Sequence, residues 1–195
     1  MKRFMHRDLK NITFFENWLN KSLADNILSE LLQLPWQEEY IKMFGKLVKV
    51  PRKVIWVGDK GATYTYSNVK HTPLPWPECL KIIRQKLNVD LKCDFNSALL
   101  NLYENGTQYM GWHSDNEAEL GPDPCIASIS FGASRRFLIR SKTTIHKYEY
   151  LLSHGSLLVM RGDIQDNFNH CLPKMLKVKE KRINVTFRKV QTLLN

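Results

Sequence analysis

The sequence lacks the features that would place this protein in a membrane or in a secreted, disulfide-rich class. No apolar run reaches the roughly 18 residues of a membrane-spanning helix, and no repeat or low-complexity segment is present. The basic start, Met1 to His6, is not followed by the apolar core of a signal peptide. Cysteine is sparse and scattered, without Cys-x-x-Cys spacing, at Cys79, Cys93, Cys125 and Cys171. Free thiols in a reducing compartment are therefore expected, in the cytoplasm if the protein is bacterial and in the nucleus if it is eukaryotic.

Acidic residues are outnumbered by basic ones. The chain has 29 Lys and Arg against 19 Asp and Glu, which gives a net charge of +10. The positive charge is concentrated at residues 42–53 and 174–189. A basic surface of this kind favours a polyanionic partner, of which nucleic acid is the commonest.

The chain length of 195 residues predicts one domain. Apolar spacing predicts a helix over about Ser22 to Gln33 that buries Leu23, Ile27, Leu31 and Leu34, with Ser22 and Asp25 as a weak capping box. A second helix is expected after Pro77, with Leu80, Ile83 and Leu87 buried.

Most of the remaining chain has the pattern of short strands. Residues 97–112 resemble a hairpin around the turn pair Asn105-Gly106, and further strands are expected at 126–131, 135–140, 147–151, 156–160 and 182–190. Many short strands after two helices predict an α+β, mainly β protein. The expected fold is a double-stranded β-helix (jelly roll) buttressed by helices, because its mouth can hold a metal between two sheets.

The segment from Arg182 to Arg188 alternates polar and apolar residues. In an extended strand Arg182, Asn184, Thr186 and Arg188 would share one face, with the two arginines roughly 20 Å apart. Buried guanidinium groups require an anion, and this pair could hold a small dicarboxylate between them.

Upstream of this strand, His113 and Asp115 lie two residues apart, and His170 follows after a long gap. Two imidazoles and one carboxylate form the ligand set of a non-haem Fe(II) oxygenase and leave open positions for a cosubstrate and O₂. The His-x-Asp pattern alone is weak, and a zinc or manganese hydrolase would use the same three residues. Such a hydrolase would not need the paired arginines.

Ordered motifs over about Met43 to Val190 resemble the AlkB family of Fe(II)/2-oxoglutarate-dependent nucleic-acid dealkylating oxygenases, most of all its branch acting on double-stranded DNA. The motifs are Phe44-Gly45-Lys46, Val50-Pro51-Arg52-Lys53, Tyr64-Thr65-Tyr66-Ser67, Asn101-Leu102-Tyr103, His113 to Glu117, Ile126 to Gly132, His154 to Leu158, His170, and Arg182 to Arg188. Asn116 departs from the second acidic residue that this branch often has there.

The resemblance implies a role for each matching residue. The iron ligands would be His113, Asp115 and His170. The residues around 2-oxoglutarate would be Asn101, Tyr103, Arg182, Asn184, Thr186 and Arg188. Those contacting nucleic acid would be Phe44, Lys46, Arg52, Tyr64, Tyr66, Ser67 and Glu117, with Phe44 as an intercalating finger and the tyrosines in a lid. About residues 1–95 would then form the helical buttress with lid and finger, and about residues 96–190 the catalytic core.

The implied activity is oxidative demethylation of bases such as 1-methyladenine and 3-methylcytosine in DNA, duplex or single-stranded, by a monomer. The N-methyl group would leave as formaldehyde and 2-oxoglutarate would become succinate. An aromatic lid and Glu117 suit a cationic alkylated base, which must be flipped out of the helix. Met43 and Phe44 have the apolar character of a wedge between base pairs, and Lys42, Lys46, Lys49, Arg52 and Lys53 would hold phosphates. An RNA demethylase and a non-catalytic nucleic-acid binding module are the alternatives.

Overall fold

The structure, a computed structural model, describes residues 9–43, 45–62, 64–66 and 69–191, with only the backbone described for 41–43, 64–66 and 69–71. The strands are β1 (Ile12–Phe15), β2 (Gln37–Met43), β3 (Lys46–Gly58), β4 (Tyr64–Tyr66), β5 (Val69–His71), β6 (Ser97–Tyr103), β7 (Met110–His113), β8 (Ile126–Gly132), β9 (Arg135–Ser141), β10 (Lys147–Leu152), β11 (Leu157–Met160), β12 (Phe168–Leu172) and β13 (Arg182–Arg188). The helices are α1 (Lys21–Leu32), α2 (Glu78–Leu91) and the short α3 (Ile164–Asn167), and a 3₁₀ turn lies at Ala118–Leu120.

Two antiparallel sheets face each other across a pocket. The larger sheet has the strand order β1-β11-β8-β13-β6-β3-β2, and the smaller has the order β10-β9-β12-β7. Residues of both sheets line the pocket, among them Asn101 and Arg182 from the larger sheet and Phe137 and His170 from the smaller. This arrangement confirms the jelly roll with its helices. Strands β4 and β5 form a separate two-stranded ribbon.

The outer face of the larger sheet is covered by α1 and α2. Apolar residues of the helices, such as Ile27 and Leu80, share a buried core with strand residues such as Leu100 and Val185. Each strand residue buried on this face alternates with one that points to the pocket, which is the period-two pattern of a sheet covered on both sides. Burial of this face therefore fixes which side chains of β6 and β13 reach the pocket.

The second helix is confirmed, with Leu80, Ile83 and Leu87 buried. The first helix is confirmed too, but it begins at Lys21, and the predicted capping box is wrong. The side chain of Asn20 accepts a hydrogen bond from the backbone N–H of Leu23, which is the ordinary N-cap arrangement. This start turns Leu23 outward, 40% exposed, and Ala24 is buried instead.

The hairpin predicted over residues 97–112 is wrong. Strand β6 pairs with β13 on one side and with β3 on the other, so both of its edges are filled. Strand β7 pairs with β12 in the smaller sheet. Gly106 does not turn a hairpin but packs against the loop after β12, donating to Val178 O at 2.9 Å and accepting from Met175 N at 2.8 Å. The turn pair carries the chain from one sheet to the other.

The other predicted strands are confirmed within two residues at each end. Strand β3, with 13 residues, is longer than the short strands expected, because its outer half forms a ribbon with β2 beyond the sheet's covered part. No helix in the described ranges is long and apolar enough to cross a membrane. All four cysteines are described, and each is a free thiol.

Candidate functional site

Three side chains that could bind one metal ion converge in the pocket between the two sheets. His113 at the end of β7 pairs directly with His170 on β12, and Asp115 follows two residues after His113. The Nε2 atoms of His113 and His170 lie 3.6 Å and 3.8 Å from Asp115 Oδ1, and all potential ligand atoms fall within 4.8 Å of one another. The sequence prediction that these residues form one cluster is confirmed.

Hydrogen bonds orient each member of the cluster. His113 Nδ1 lies 2.9 Å from the carbonyl oxygen of Gly111. Since a carbonyl can only accept, the proton sits on Nδ1 and Nε2 is left with a lone pair facing the other two residues. Asp115 Oδ2 accepts a 2.7 Å hydrogen bond from Arg188, which leaves Oδ1 to face the histidines.

Burial and neighbouring charges keep His170 and Asp115 in the protonation states that metal binding requires. Burial, with His113 next to it, lowers the pKa of His170 to about 3, so this imidazole is neutral at neutral pH. Burial alone would raise the pKa of Asp115, but the charge of Arg188 and the two histidines outweighs it and lowers the pKa below its usual range. Two imidazoles and a carboxylate on one side fit Fe(II) with open positions opposite.

The polar face predicted for β13 does line the pocket, with Arg182, Asn184, Thr186 and Arg188 all facing inward. Across the strand pairs, Asn184 lies opposite Asn101, and Arg182 opposite Tyr103. Asn184 Nδ2 donates to Ser128 Oγ at 2.7 Å, and Thr186 Oγ1 donates to Asn184 Oδ1 at 2.9 Å. These bonds give the pocket wall a fixed set of polar groups.

Arg182 is buried at the inner end of this wall. Its Nη2 donates to Ser130 Oγ at 2.9 Å, and its guanidinium lies 5.5 Å from the centre of the Tyr103 ring. Its Nε is buried and has no hydrogen-bond partner among the described residues. Burial lowers the pKa of Arg182 to about 10. The group still carries its charge at neutral pH, so the pocket is suited to an anion at this position. The charge of a dicarboxylate such as 2-oxoglutarate matches this donor set.

Arg52 was expected to hold a phosphate with the neighbouring lysines, and that contact stays a prediction. Its side chain points inward from β3 and is 4% exposed, and its Nε donates to Asn101 Oδ1 at 2.7 Å. Arg52 lies on the pocket face of β3, two residues before Val54, which pairs with Asn101. Arg52 is therefore a further cation of the pocket wall.

Two residues near the metal cluster escaped the sequence analysis. Gln165 on α3 is buried, and its Oε1 accepts a 2.9 Å hydrogen bond from the backbone N–H of Asp115. Lys142 donates to Gln165 O at 2.8 Å and lies 3.3 Å from Ser114 Oγ. No local pattern marks a glutamine 50 positions away as a support for Asp115. Ser128 and Ser130 were also missed, although their alternation with Ala127 and Ile129 gave a signal.

The hairpin of β2 and β3 carries exposed apolar and basic side chains. Leu47 is 72% exposed and Val48 41%, next to exposed Lys46. Lys49 forms a 2.5 Å ion pair with Glu38, and Lys53 one of 2.9 Å with Glu104. Phe44 and Ser67 lie outside the described residues. Tyr64 and Tyr66 lie in β4, whose backbone alone is described.

Glu117 lies two residues beyond Asp115, where it begins the 3₁₀ turn. Its Oε2 is buried, and within the described part of the chain no group donates a hydrogen bond to it. A buried carboxylate oxygen without a donor is available to a ligand that brings one. Its contact with a base stays a prediction.

The chain matches the model of the 2OG-Fe(II) oxygenase superfamily over residues 11–188. It is 38% identical over 185 residues to the DNA oxidative demethylase ALKBH2 of Mus musculus, covering 87% of this chain and 76% of that protein. It is also 38% identical to the DNA oxidative demethylase ALKBH2 of Homo sapiens, covering 87% of this chain and 70% of that protein.

A second type of relative is the alpha-ketoglutarate-dependent dioxygenase alkB homolog 3 of Homo sapiens, 34% identical over 193 residues, with 93% of this chain and 67% of that protein covered. Among solved structures, OsALKBH1 superposes with a TM-score of 0.68 at 16% identity, covering 94% of this chain and 99% of that one. The structural likeness at this identity supports the fold.

Proposed function

Because the chain belongs to the AlkB family within the 2OG-Fe(II) oxygenase superfamily, we propose that it removes methyl groups from the ring nitrogens of DNA bases by oxidation. The observation that carries this proposal is the pocket itself. The His113, Asp115 and His170 cluster opens into the same cavity as Arg182, so metal and dicarboxylate would be held side by side. When bound, iron and 2-oxoglutarate supply the oxidising chemistry with O₂.

The protein's own residues hold and orient these groups. His113, Asp115 and His170 would ligate the iron through Nε2, Oδ1 and Nε2. Arg182 would bind the far carboxylate of 2-oxoglutarate, and Asn101 and Tyr103 would line its path. Leu99, Leu152 and Phe137 also line the cavity, and their apolar surfaces exclude water from it.

The alkylated base would reach the metal from the side of His113. The His113 side chain is 27% exposed, whereas Asp115 and His170 are 7% and 6% exposed. Glu117 follows His113 by four residues in the sequence, and its buried oxygen would face a base that carries positive charge. These residues would increase the rate by orienting the N-methyl carbon toward the metal.

The duplex is the substrate form that we propose. The β2–β3 hairpin presents Leu47 and Val48 to solvent beside Lys46, and Met43 and Phe44 precede them in the sequence. Apolar side chains with flanking cations suit insertion into a base stack, with the lysines on phosphates. The flipped base would then leave a gap that the hairpin fills.

The test is anaerobic reconstitution with Fe(II), followed by O₂, 2-oxoglutarate and an oligonucleotide with one 1-methyladenine, supplied as a DNA duplex, single-stranded DNA or RNA. The expected result is loss of one methyl group from the DNA, measured by oligonucleotide mass, only when 2-oxoglutarate is present. Succinate formation without a mass change in any oligonucleotide would contradict the proposed substrate. Faster loss from RNA would favour the RNA enzyme.

The hairpin is tested separately. Leu47→Ser should slow the reaction on the duplex by about tenfold, the scale of about 1.4 kcal/mol for an apolar side chain in the stack, and leave single strands unchanged. Leu151→Ser is the matched control, since Leu151 is also exposed (54%) but lies on β10. An equal effect of Leu47→Ser on both substrate forms would exclude the insertion role.

A further inference from the structure

Two of the scattered cysteines meet in the fold. Cys93 follows α2, and Cys125 directly precedes β8, 32 positions later. Their Sγ atoms lie 2.9 Å apart, and both side chains are partly buried. Formation of a disulfide requires this separation to shorten to about 2.05 Å, which is within the reach of small rotations about the two Cα–Cβ bonds.

The surroundings hold the two thiols together and leave them accessible. Both cysteines line a cleft at the surface, together with Pro122, Pro124 and Lys189. The prolines limit the freedom of the chain that carries Cys125. Lys189 fixes the opposite side through a 3.0 Å ion pair with Asp94. A small molecule such as a peroxide can enter the cleft.

The electrostatic environment makes the two thiols unequal. Arg161 Nη2 lies 3.8 Å from Cys93 Sγ and also donates to Leu91 O at 2.7 Å. This contact places a cation against the sulfur of Cys93. Burial raises the pKa of Cys125 to about 12, so this thiol keeps its proton. We therefore place the first reaction at Cys93 and the second at Cys125.

We propose that Cys93 and Cys125 form an oxidative modification site, at which hydrogen peroxide converts the two thiols into a disulfide. The Cys93 thiolate attacks one peroxide oxygen, the O–O bond breaks, and the departing hydroxide is protonated to water. Cys93 is then a sulfenic acid. The Cys125 sulfur attacks the Cys93 sulfur, the S–O bond breaks, and the departing hydroxide takes the thiol proton as water. Overall, two thiols and one peroxide give a disulfide and two waters, and the two sulfurs lose the two electrons that the peroxide gains.

The bond would close a loop that carries much of the candidate site. Residues 94–124 include β6 and β7, with Asn101, His113 and Asp115. Cross-linking the ends of this segment restricts the unfolded chain, so the oxidised protein should melt at a higher temperature, by about 5 °C or more. The site belongs to the scaffold, and its test is independent of any activity on DNA.

The experiment treats the reduced full chain, in the presence of a chelator that removes iron, with one equivalent of hydrogen peroxide, and then alkylates the remaining thiols. Trypsin leaves both cysteines on one peptide, because no Lys or Arg occurs between Cys93 and Arg135. A protease that cleaves after glutamate separates them at Glu104, Glu117 and Glu119. The two fragments then stay together in the mass spectrum only through a disulfide.

The expected result is a reducible Cys93–Cys125 link with Cys79 and Cys171 alkylated. Burial raises the pKa of Cys79 to about 12 and of Cys171 to about 11, so both should react slowly. Cys125→Ser should accumulate a sulfenic acid at Cys93 that dimedone traps, and Cys93→Ser should lose the fast reaction, by about tenfold or more. Cys171→Ser is the matched control and should form the link normally.

Three outcomes would overturn the proposal. The first is four alkylated cysteines after peroxide treatment, and the second is a link between other pairs. The third is a Cys93→Ser protein that consumes peroxide as fast as the unchanged chain. A link that forms without any rise in melting temperature would overturn the inference that it braces the loop.

Discussion

The two ends of strand β13 carry the same side chain in two different electrostatic environments. At the outer end, Arg188 donates to Asp115 at 2.7 Å, so its charge is met by a carboxylate of the metal cluster. At the inner end, Arg182 donates to the neutral hydroxyl of Ser130 and stacks beside Tyr103. Both arginines are buried.

The two arginines should therefore have different roles, although the sequence alone assigned both of them to the dicarboxylate. A buried guanidinium with a carboxylate partner fixes the position of that carboxylate, so Arg188 would support the proposed metal ligand Asp115. A buried guanidinium that contacts a hydroxyl still favours an anion from outside. We therefore propose that Arg182 binds the far carboxylate of 2-oxoglutarate. Substitutions at Arg182 and at Arg188 should then have different effects.

Asp115→Ala acts at the Arg188 end of β13 and should have the largest effect. It removes a proposed metal ligand and the carboxylate that Arg188 contacts, and turnover should fall by at least about a thousandfold. Demethylation of the oligonucleotide and its binding would be measured together, and binding should persist. Asp166→Ala, an exposed carboxylate on α3, is the control. Retained turnover in the Asp115 variant would remove this residue from the metal site.

Gln165→Ala tests the hydrogen bond between the Gln165 side chain and the backbone of Asp115. Loss of the hydrogen bond to the Asp115 backbone should weaken metal affinity by about tenfold, as expected for a group that orients a ligand. Titration with Mn(II) measures this affinity without turnover. The neighbouring Asn167→Ala, which loses a 2.8 Å contact with Asp163, should leave the affinity unchanged. Equal losses in both variants would indicate a general loosening of α3.

Ser130→Ala tests the other end of β13, where Arg182 donates to Ser130. Without this hydroxyl, Arg182 loses a 2.9 Å partner that holds its guanidinium in place. The KM for 2-oxoglutarate should rise about threefold to tenfold, the effect of one hydrogen bond of roughly 1 kcal/mol, with metal affinity unchanged. Steady-state kinetics at varied 2-oxoglutarate concentration would measure this. A change in metal affinity instead would show that the two ends are not separate.

A separate effect concerns the dependence of stability on pH. The pKa of His170 is lowered to about 3, whereas a histidine of an unfolded chain titrates near 6.5. Below pH 6.5 the unfolded metal-free chain takes up a proton that the folded chain does not. The free energy of unfolding should therefore fall with decreasing pH through this window, by up to about 1.4 kcal/mol per pH unit from this residue. Denaturant unfolding of His170→Asn should show a shallower slope between pH 6.5 and 4, and the exposed His146→Asn should not.

Much of the candidate site could be predicted from sequence, because its residues follow local periods. The alternation in β13 predicted that Arg182, Asn184 and Thr186 share one face. This prediction is correct because the other face of β13 is buried against the helices. The contact of His113 with His170 followed from their type and order, not from any local pattern.

The errors came from contacts between distant segments. Asn105-Gly106 has the composition of a hairpin turn, but β6 already had partners on both edges. Gln165 and Asp115 meet across 50 positions, and Cys93 and Cys125 across 32. The burial of Arg52 could not be predicted, because the face of β3 that carries it depends on the register of β3 with β6. The roles proposed for Phe44, Tyr64, Tyr66, Ser67 and Glu117, and the division of the chain near residue 95, stay predictions.

The most direct test of the account compares Arg182→Lys with Arg188→Lys by calorimetry, with Mn(II) titrated into the metal-free protein and 2-oxoglutarate titrated into the Mn(II)-loaded protein. Lysine keeps the charge but not the paired donors of the guanidinium. We expect Arg182→Lys to weaken 2-oxoglutarate binding by about 10-fold to 100-fold, as for a hydrogen bond to a charged group, with Mn(II) affinity unchanged. Arg188→Lys should weaken both. Equal loss of 2-oxoglutarate and Mn(II) affinity in the two variants would contradict the division of tasks along β13.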